Sequence, residues 1–299
     1  MTPAPVTAIV TAHQRPDRLV VTLEKLEACT PPPAEIIVHV DGGNDACATA
    51  VRERHPGVRV IVSRSHLGPG GGRNHLVEAA AQPLIASFDD DSYPIDGDFF
   101  GRVSALFAEF PDAWVIAAQV YHVNERVEPA RAVAEWAADF TGCGCAYRRD
   151  RYLEVGGYVP LRSAYNMEEV DFALRLHAMG KKVLDTKWLR VFHDTDRARH
   201  ADPEVTAASI SNLALLAFLR YPIHLWWIGI AQCANRIQWL IRNGRHRGIL
   251  SGLANIPSRL WSNRRRRQPL PSAAVLSYFA LRRRPVPAPL DAAIARAGG

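Results

Sequence analysis

The stretch Ser87-Phe-Asp-Asp-Asp-Ser92 directly follows an apolar segment that begins at Pro83, and the rest of the chain is organised around it. Three consecutive carboxylates after a strand-like segment repel one another and therefore require a cation. In an extended chain side chains alternate between faces, which predicts that Asp89 and Asp91 point one way and Asp90 the other. Two carboxylates on one side of a strand end suit Mg²⁺ or Mn²⁺ carrying a phosphorylated ligand.

The same triplet has a structural interpretation as an acidic loop or the start of a helix. Ser92, Pro94 and Asp96 follow it, and these residue types are typical of turns and helix N-caps. The triplet alone leaves both interpretations open, so the surrounding segments must decide between them.

Strand-like and helix-like segments alternate through the first part of the chain. The β-branched run 6–10 precedes leucines at helical spacing, and residues 36–40 and 58–63 repeat the strand pattern. This alternation predicts an α/β fold with a Rossmann-like, doubly wound, mostly parallel sheet, whose ligand site lies at the carboxyl ends of the strands. Asp41 and the Asp triplet both fall at that edge.

A glycine-rich segment, residues 65–74, lies between Asp41 and the triplet and precedes a helix predicted over 75–81. Glycines before a helix start allow backbone N–H groups to approach an anion, and Arg73 adds a positive charge. The segment lacks the spacing of the dinucleotide motif and the Lys-Ser/Thr of a phosphate-binding loop. A tight turn into a helix explains the glycines equally well.

Helix and strand patterns alternate again after the triplet. They predict helices over 97–110 and 129–140, with Trp136 on one face of the second, and strands over 113–121 and 141–147. Glycines in the last of these strands leave room for another group to approach closely, although tight strand packing also explains them.

A further helix, predicted over 166–180, begins with a cluster of acids. Glu168, Glu169 and Asp171 lie in its first turn, where the helix macrodipole stabilises negative charge. Asp171 also stands four residues before Arg175 and can pair with it. The sequence therefore leaves two interpretations open for these acids: they stabilise the helix start, or they take part in the chemistry of the site. His193 follows the next apolar strand, on the same acidic edge.

Composition excludes several classes of protein. A chain of 299 residues with 48% hydrophobic residues can bury a proper core, which excludes disordered and fibrous proteins. Five cysteines without a CxxC pair argue against a disulfide framework or a zinc site and favour a reducing cytoplasm. Cys143 and Cys145 are interpreted as small buried thiols rather than ligands. The first ten residues lack the features of a signal peptide.

The net charge of +6 is unevenly distributed. From Val205 onward 14 arginines accompany one acid, Asp291, for a net charge of +13, whereas residues 1–204 carry −7. A basic region on an acidic body suggests contact with an anionic surface. No nucleic-acid-binding motif accompanies the charge, so a membrane is favoured over nucleic acid.

Residues 206–244 are rich in Leu, Ile, Ala and Trp, but their uncharged runs are about 15 residues long, shorter than the ~20 of a membrane-spanning helix. This predicts helices that lie in a membrane interface, with tryptophans at headgroup depth and Arg220, Arg236 and Arg242 on anionic lipid. The arginines at 264–267 and 282–284 would reinforce that contact. A dimerisation or capping subdomain with solvated arginines is the alternative.

The order of these signals resembles the family 2 glycosyltransferases, which have the GT-A fold. The matching segments are residues 10–16, 40–44, 67–74, 88–92, 141–147 with 156–157, and 168–175. They span about the first two-thirds of the chain in the expected order, which is far more specific than any one segment. The resemblance implies a catalytic domain over 1–204, with a nucleotide-sugar part over about 1–92 and an acceptor part over 93–204, and then a helical basic region over 205–299.

The resemblance also implies roles for individual residues. The residues implied to contact a nucleoside-diphosphate sugar are Thr11, His13, Arg15, Asp41, Gly68, Arg73, Asp89 and Asp90. The residues implied to hold Mg²⁺ or Mn²⁺ are Asp89, Asp91 and His193. The family's base is the second acid of a Glu-Asp pair. That position is Glu169 here, so either Glu169 or Asp171 takes the proton.

The implied reaction is an inverting sugar transfer to a hydroxyl of a glycan, lipid-linked or small-molecule acceptor. It needs a cation at the leaving phosphate and a carboxylate at the acceptor hydroxyl. A nucleotidyltransferase of similar fold would attack the α-phosphate and would not need Glu169. A non-catalytic binding module is the other alternative, against which the intact acids Asp89, Asp91 and Glu169 argue. Residues 120–131 and 148–166 are the expected acceptor loops.

Overall fold

The computed structural model describes residues 2–43, 45–162, 167–195 and 202–290. The strands in these ranges are β1 (Ala4–Ala12), β2 (Pro33–Val40), β3 (Arg59–Val62), β4 (Leu84–Asp89), β5 (Ser92–Pro94), β6 (Ala113–His122), β7 (Ala134–Ala137), β8 (Cys145–Arg148), β9 (Lys182–His193) and β10 (Val286–Ala288). The α-helices are α1 (Pro16–Glu27), α2 (Asp45–Arg54), α3 (Gly68–Ala79), α4 (Phe99–Glu109), α5 (Arg149–Val155), α6 (Glu168–Ala178), α7 (Pro203–Arg220), α8 (Trp226–Arg242), α9 (Ile249–Ala254), α10 (Ile256–Asn263) and α11 (Ser272–Arg283).

The strands form one mixed sheet in the order β10-β7-β9-β6-β8-β4-β1-β2-β3, and β5 pairs with β9. β1 lies parallel to β2 and β4, β2 to β3, and β6 to β9. Because β8 runs antiparallel between β4 and β6, the strands β1 to β4, β6 and β9 all point the same way. The predicted mostly parallel α/β sheet is therefore confirmed, and the carboxyl ends of β1, β2 and β4 share one edge.

Helices cover both faces of the sheet, because adjacent residues of the buried strands face opposite sides. Val10 of β1 lies in a hydrophobic cluster with residues of α1, α2 and α4, whereas its neighbour Ile9 lies in a second cluster with α3, α5 and α6. Leu215 of α7 and Tyr278 of α11 belong to the second cluster. The C-terminal helices thus complete the core on one face of the sheet.

The C-terminal helices are separate, moderately long segments. Asp202 caps α7 by accepting a hydrogen bond from the Glu204 N–H at 2.6 Å, and Pro203 occupies the first turn. Pro222 follows the end of α7, so the chain restarts as α8 at Trp226. Within the described ranges we find no helix with the length and hydropathy needed to cross a membrane.

The prediction of a helix over 129–140 is wrong. Its centre forms β7, which pairs with β9 on one side and with β10, a strand that the sequence pattern did not predict, on the other. Local propensity favours a helix, but pairing satisfies backbone groups that would remain open at the edge of β9. Trp136 packs edge-on against Phe110, with ring centroids 5.7 Å apart.

Two other predicted elements begin at different residues in the structure. The segment predicted as a strand over 141–147 begins with a turn, in which the Gly144 N–H bonds to the Thr141 carbonyl at 3.2 Å, and only the part from Cys145 is strand. The helix predicted from His75 begins at Gly68, so the glycines lie inside α3. A Cβ at Gly70 or at Gly72 would collide with buried side chains, which explains their use within a helix.

Candidate active site

A pocket opens at the carboxyl edge of β1, β2 and β4, where Thr11 is the register partner of Asp89. The residues lining it are Thr11, Ala12, His13, Arg15, His39, Asp41, Gly68, Pro69, Asp89 and Asp90. Seven of the eight predicted donor-binding residues are therefore brought together. The eighth, Arg73, is buried and pairs with Asp89. Ala12, His39 and Pro69 also line the pocket, and sequence analysis did not predict them as donor-binding residues.

Asp41 anchors one wall of this pocket by capping α3. Its Oδ1 accepts a hydrogen bond from the Leu67 N–H at 2.8 Å and its Oδ2 accepts one from the Gly68 N–H at 2.9 Å. His66 Nδ1 also lies 2.7 Å from Oδ2. The first N–H groups of a helix have no partner within the helix, so a carboxylate that accepts from them fixes the helix start.

The Asp triplet is not extended, so the predicted alternation of its side chains is wrong. β4 ends at Asp89, and Asp90 and Asp91 lie in a turn. The guanidinium of Arg15 forms ion pairs with both Asp90 and Asp91, which therefore do not point to opposite sides. The chain turns because the Asp89 N–H bonds to Ser92 Oγ at 2.8 Å, closing the segment on itself.

Asp90 and Asp91 differ in their preference for charge. Burial raises the pKa of Asp90 to about 7, against the opposing influence of Arg15 and the His13 N–H. Burial also acts to raise the pKa of Asp91, but His193 and Arg15 outweigh it, and the pKa lies below its ordinary value. The ionised form is therefore favoured at Asp91 and disfavoured at Asp90.

Among the described residues, one group of side chains could hold a metal ion. It consists of Asp89, Cys143 and His193, whose ligand atoms lie within 4.8 Å of one another. His193 Nδ1 lies 3.6 Å from Cys143 Sγ, and its Nε2 lies 3.2 Å from Asp91 Oδ1. Of the predicted ligands, Asp91 and His193 therefore lie next to each other, and the buried Asp91 Oδ1 has no hydrogen-bond partner among the described residues. Carboxylates fit Mn²⁺ or Mg²⁺ and an imidazole fits a divalent transition metal, whereas a thiol favours softer ions such as Zn²⁺.

Glu169 lies at the start of α6, close to Arg73. A Cβ on Gly142 would lie 2.5 Å from Glu169 Oε1 and 3.2 Å from Arg73 Cζ, so both side chains reach the same glycine. Arg73 donates hydrogen bonds to Ser87 Oγ at 3.0 Å and to Asp89 Oδ1 at 2.5 Å. Because Gly142 has no side chain, Glu169 and Arg73 can approach the backbone closely, as the glycines of this segment predicted. Glu169 therefore lies near the pocket.

Asp171, the other predicted base, has a different environment. It is fully buried and pairs with Arg175 at 2.8 Å, as its spacing predicted, and with Arg220 of α7 at 2.5 Å. Both of its oxygens are engaged by arginine. Of the two candidates, Glu169 alone is partly exposed, and Asp171 joins α6 to α7.

Three residues in and around the site have roles that sequence reasoning missed. Ser92 was interpreted as a turn residue, but its Oγ also donates to the Cys143 carbonyl at 3.0 Å. Cys143 was interpreted as a buried thiol, and burial does raise its pKa well above the ordinary value, yet it faces His193. The prediction that Arg220 meets anionic lipid is wrong, because this residue is buried and pairs with Asp171.

Residues 7–167, more than half of the chain, match the family model described as Glycosyl transferase family 2. The chain belongs to glycosyltransferase family 2. The matched region of this family 2 chain runs from β1 to the residue before α6 and includes the whole pocket described above. No curated protein sequence matches it.

Solved structures of other glycosyltransferases share the fold of this family 2 chain. The mannosyltransferase PcManGT from Pyrobaculum calidifontis, in complex with GDP-Man and Mn²⁺, has a TM-score of 0.55 at 18% identity and covers 94% of this chain and 80% of its own. S. aureus TarS 1–349, in complex with UDP-GlcNAc, has a TM-score of 0.57 at 16% identity, with coverages of 86% and 72%.

GalNAc-T7, solved with UDP, GalNAc and Mn²⁺, has a TM-score of 0.60 at 12% identity and covers 74% of this chain. The chain spans about half of the GalNAc-T7 chain, 49%. At these identities the likenesses concern the fold, and they agree with the predicted GT-A architecture followed by a helical C-terminal region.

Proposed function

We propose that this protein is an inverting, metal-dependent glycosyltransferase that moves a sugar from a nucleoside-diphosphate sugar to an acceptor hydroxyl. The observation that carries the proposal is that Glu169 and Arg73 meet at Gly142, and that Arg73 in turn pairs with Asp89, which lines the pocket at the carboxyl edge of the sheet. A base, a buried cation and a carboxylate next to one pocket are the groups that this transfer needs.

The pocket at the carboxyl ends of β1, β2 and β4 is the proposed donor site. The start of α3, fixed by Asp41, brings the positive end of its helix dipole to this side, which suits a diphosphate. Arg15, whose side chain is 37% exposed, adds a positive charge at the rim. Thr11, His13, Gly68, Asp89 and Asp90 form the remaining wall, and the neighbours' ligands UDP, GDP-Man and UDP-GlcNAc are the class of donor we propose.

Glu169 is the proposed catalytic base. It accepts the proton of the acceptor hydroxyl while the acceptor oxygen forms its bond to the anomeric carbon and the bond to the diphosphate breaks. A single displacement of this kind inverts the anomeric configuration and needs no covalent enzyme nucleophile. Asp171 is unsuited to this step, because it is buried and both its oxygens face arginines.

A divalent cation, Mn²⁺ or Mg²⁺, belongs at Asp89, Asp91 and His193 in this proposal, and the unpartnered Asp91 Oδ1, 3.2 Å from His193 Nε2, supports it. Bound there, it would supply positive charge for the leaving diphosphate. Arg73 is held against Asp89 and Ser87, so the carboxylate keeps its orientation toward the site.

The basic C-terminal region, residues 205–290 of the described chain, is the proposed contact with an anionic membrane on the cytoplasmic side. Large apolar side chains of this region are exposed, among them Ile230 at 71%, Leu250 at 82% and Trp261 at 69%. The Arg264 guanidinium lies 4.1 Å from the centre of the Trp261 ring. Arginine beside exposed tryptophan suits an anionic headgroup layer, where lipid-linked or polymeric acceptors are found.

Thermal stabilisation by a panel of nucleotides and nucleotide sugars, with Mn²⁺, Mg²⁺ or chelator, tests the donor site. We expect a metal-dependent rise in melting temperature with one family of nucleoside diphosphates. Release of nucleoside diphosphate from the matching sugar donor then distinguishes sugar transfer from nucleotidyl transfer, which would consume a nucleoside triphosphate and release pyrophosphate. No stabilisation by any nucleotide would favour a non-catalytic module.

A further inference from the structure

An apolar pocket of about 410 Å³ lies among helices α7, α8, α9 and α10, in a part of the chain that the family match does not cover. Among the described residues that line it, none has a charged or amide side chain. Ala217 is a buried part of its wall, whereas Ile230 and Leu253 are 71% and 41% exposed. The pocket therefore opens to the protein surface between apolar side chains.

Two glycines hold the helices around this pocket close to α7. A Cβ on Gly229 of α8 would lie 2.3 Å from Ala217 Cβ, and a Cβ on Gly252 of α9 would lie 2.9 Å from the Ala207 carbonyl oxygen. α8 and α9 therefore pack on α7 at points where no further side chain fits. Because these helices and α10 form its walls, the pocket is held open by fixed contacts, and its volume is in the range of small-molecule sites.

Arg267 lies against the aromatic side of the pocket. Its Cζ is 5.0 Å from the centre of the Phe218 ring and 5.2 Å from that of Trp226, and both residues line the pocket. The Gln268 N–H bonds to the Leu219 carbonyl at 3.0 Å, which fixes the chain beside Arg267 to the end of α7. Arg267 Nη1 is buried and has no hydrogen-bond partner among the described residues. A buried donor without an acceptor is costly, so an anionic group at this rim would be stabilised.

The charge of the surrounding region favours a lipid over a second copy of this chain. Residues 205–290 contain 13 arginines and no aspartate or glutamate. Two copies that met through this region would bring like charges together, whereas phosphate headgroups would neutralise them. An apolar pocket with a cationic rim matches a molecule that carries a hydrocarbon chain next to a phosphate.

We propose that this pocket binds one hydrocarbon chain of an anionic membrane phospholipid, with the phosphate of that lipid at Arg267. The inference deepens the proposed function and rests on its membrane contact. Surface charge alone would hold the protein on the membrane in many orientations, whereas a chain in the pocket would select one of them. Through the pair between Arg220 of α7 and Asp171 of α6, the pocket is joined to the helix that carries Glu169. The bound lipid would thus fix the orientation of the catalytic domain on the membrane.

Binding of decyl phosphate, kept below its micelle concentration, to the full-length protein tests the pocket without a membrane. Cys233 reports occupancy, because it lines the pocket and is half-buried, whereas the other four cysteines are buried. If a thiol reagent reaches Cys233 only in the empty pocket, decyl phosphate at about ten times its dissociation constant should slow the modification about 10-fold and raise the melting temperature. Inorganic phosphate should do neither, and decanol should bind more weakly than decyl phosphate.

Two substitutions separate the role of the chain from that of the phosphate. Ala234→Trp places a ring in the mouth of the pocket and should abolish the stabilisation by decyl phosphate, whereas Ala273→Trp adds the same ring at an exposed position of α11 outside the pocket and should keep it. Arg267→Gln should weaken decyl phosphate binding about 10-fold and leave decanol binding unchanged. Arg265→Gln removes the same charge from an exposed neighbour and should change neither.

The proposal is overturned if decyl phosphate neither protects Cys233 nor stabilises the wild type, or if it stabilises Ala234→Trp equally. Vesicle binding by a wild type that decyl phosphate does not protect would reject the pocket and leave the membrane contact. Recovery of glycosylated decyl phosphate, lost in Ala234→Trp, would mean that the pocket holds an acceptor instead of a membrane phospholipid. Nucleotide-dependent stabilisation is measured on the same preparations, so a failure of the donor site is scored separately.

Discussion

At residue 142 the site tolerates only the hydrogen of glycine. In Gly142→Ala the new Cβ would meet Glu169 Oε1 at 2.5 Å and force this flexible side chain to move. Because a misplacement of about 1 Å can cost about 100-fold in rate, we expect donor turnover to fall at least ~10-fold with little loss of stability. Turnover and melting temperature are compared with those of Gly57→Ala, where nothing lies within 4 Å of an added Cβ. Unchanged turnover in Gly142→Ala would place the base elsewhere.

Glu169 itself provides a second prediction at the residue scale. Glu169→Gln keeps the size of the side chain and removes its ability to accept a proton. We expect turnover to fall about 10²- to 10⁴-fold, the usual contribution of a general base, while nucleotide-dependent stabilisation persists. The measurements are nucleoside diphosphate release and thermal shift on the same preparation. Wild-type turnover would contradict the assignment, and loss of nucleotide binding would indicate a role in the donor site instead.

At the scale of elements, the buried Asp171–Arg220 pair joins α6 to α7. Asp171→Asn leaves Arg220 without its counter-charge in the core, and breaking a buried pair in this way costs about 3–5 kcal/mol of unfolding free energy. Arg282→Met is the control, because its pair with Asp139 is half exposed and contributes about 0–1 kcal/mol. Urea denaturation measures both. Equal, small losses would mean that Asp171 is not essential to the packing of α7.

The pairing of β7 with β9 places two carboxylates side by side, because Glu135 is the register partner of Asp185. Burial and Glu135 raise the pKa of Asp185 from 3.8 to about 6. Between these values the folded state holds more protons than the unfolded state, so this group makes stability fall as pH rises from about 4 to about 6. Asp185→Asn should flatten that slope in urea midpoints measured across this range. If stability falls equally steeply with pH in Asp185→Asn, Asp185 is not the source of this pH dependence.

At the scale of the whole molecule, the basic C-terminal region should direct the protein to anionic membranes. Removing three arginines in R264Q/R265Q/R266Q should weaken binding to phosphatidylserine vesicles about 100-fold, because each contributes about 1 kcal/mol near an anionic surface. R52Q/R54Q/R59Q removes the same charge from exposed positions on α2 and β3 and should bind as the wild type does. If both variants lose the same affinity for vesicles, binding depends on the net charge of the protein alone and not on the position of the arginines. Concentration-dependent dimerisation without vesicle binding would instead favour a subunit interface.

The repeated strand and helix patterns and the order of the acidic and glycine-rich segments were enough to predict the GT-A architecture and its ligand edge. These features are local, and parallel strands bring their carboxyl ends to one edge wherever the pattern recurs. Seven predicted donor residues line one pocket for that reason. Residues 44 and 163–166, which belong to two of the predicted loops, lie outside the described residues.

Local pattern could not predict contacts made by distant segments. β7 is a strand because β9 and β10 pair with it, and β10 lies about 150 residues further along the chain. Glu169 and Asp171 are equivalent acids in the first turn of one helix, and only the position of Arg220 on α7 separates them. Burial and partner charges, not residue type, decide which of the two can accept a proton.

The sequence by itself determined the family, the mostly parallel α/β sheet and the edge of that sheet at which Asp41 and the Asp triplet lie. Tertiary structure alone decided which side chains meet around the proposed metal, because the pairing of β5 with β9 brings His193 beside the turn that carries Asp91. Ser92 also donates a hydrogen bond to the Cys143 carbonyl, 51 positions away, and no local periodicity records such a bond.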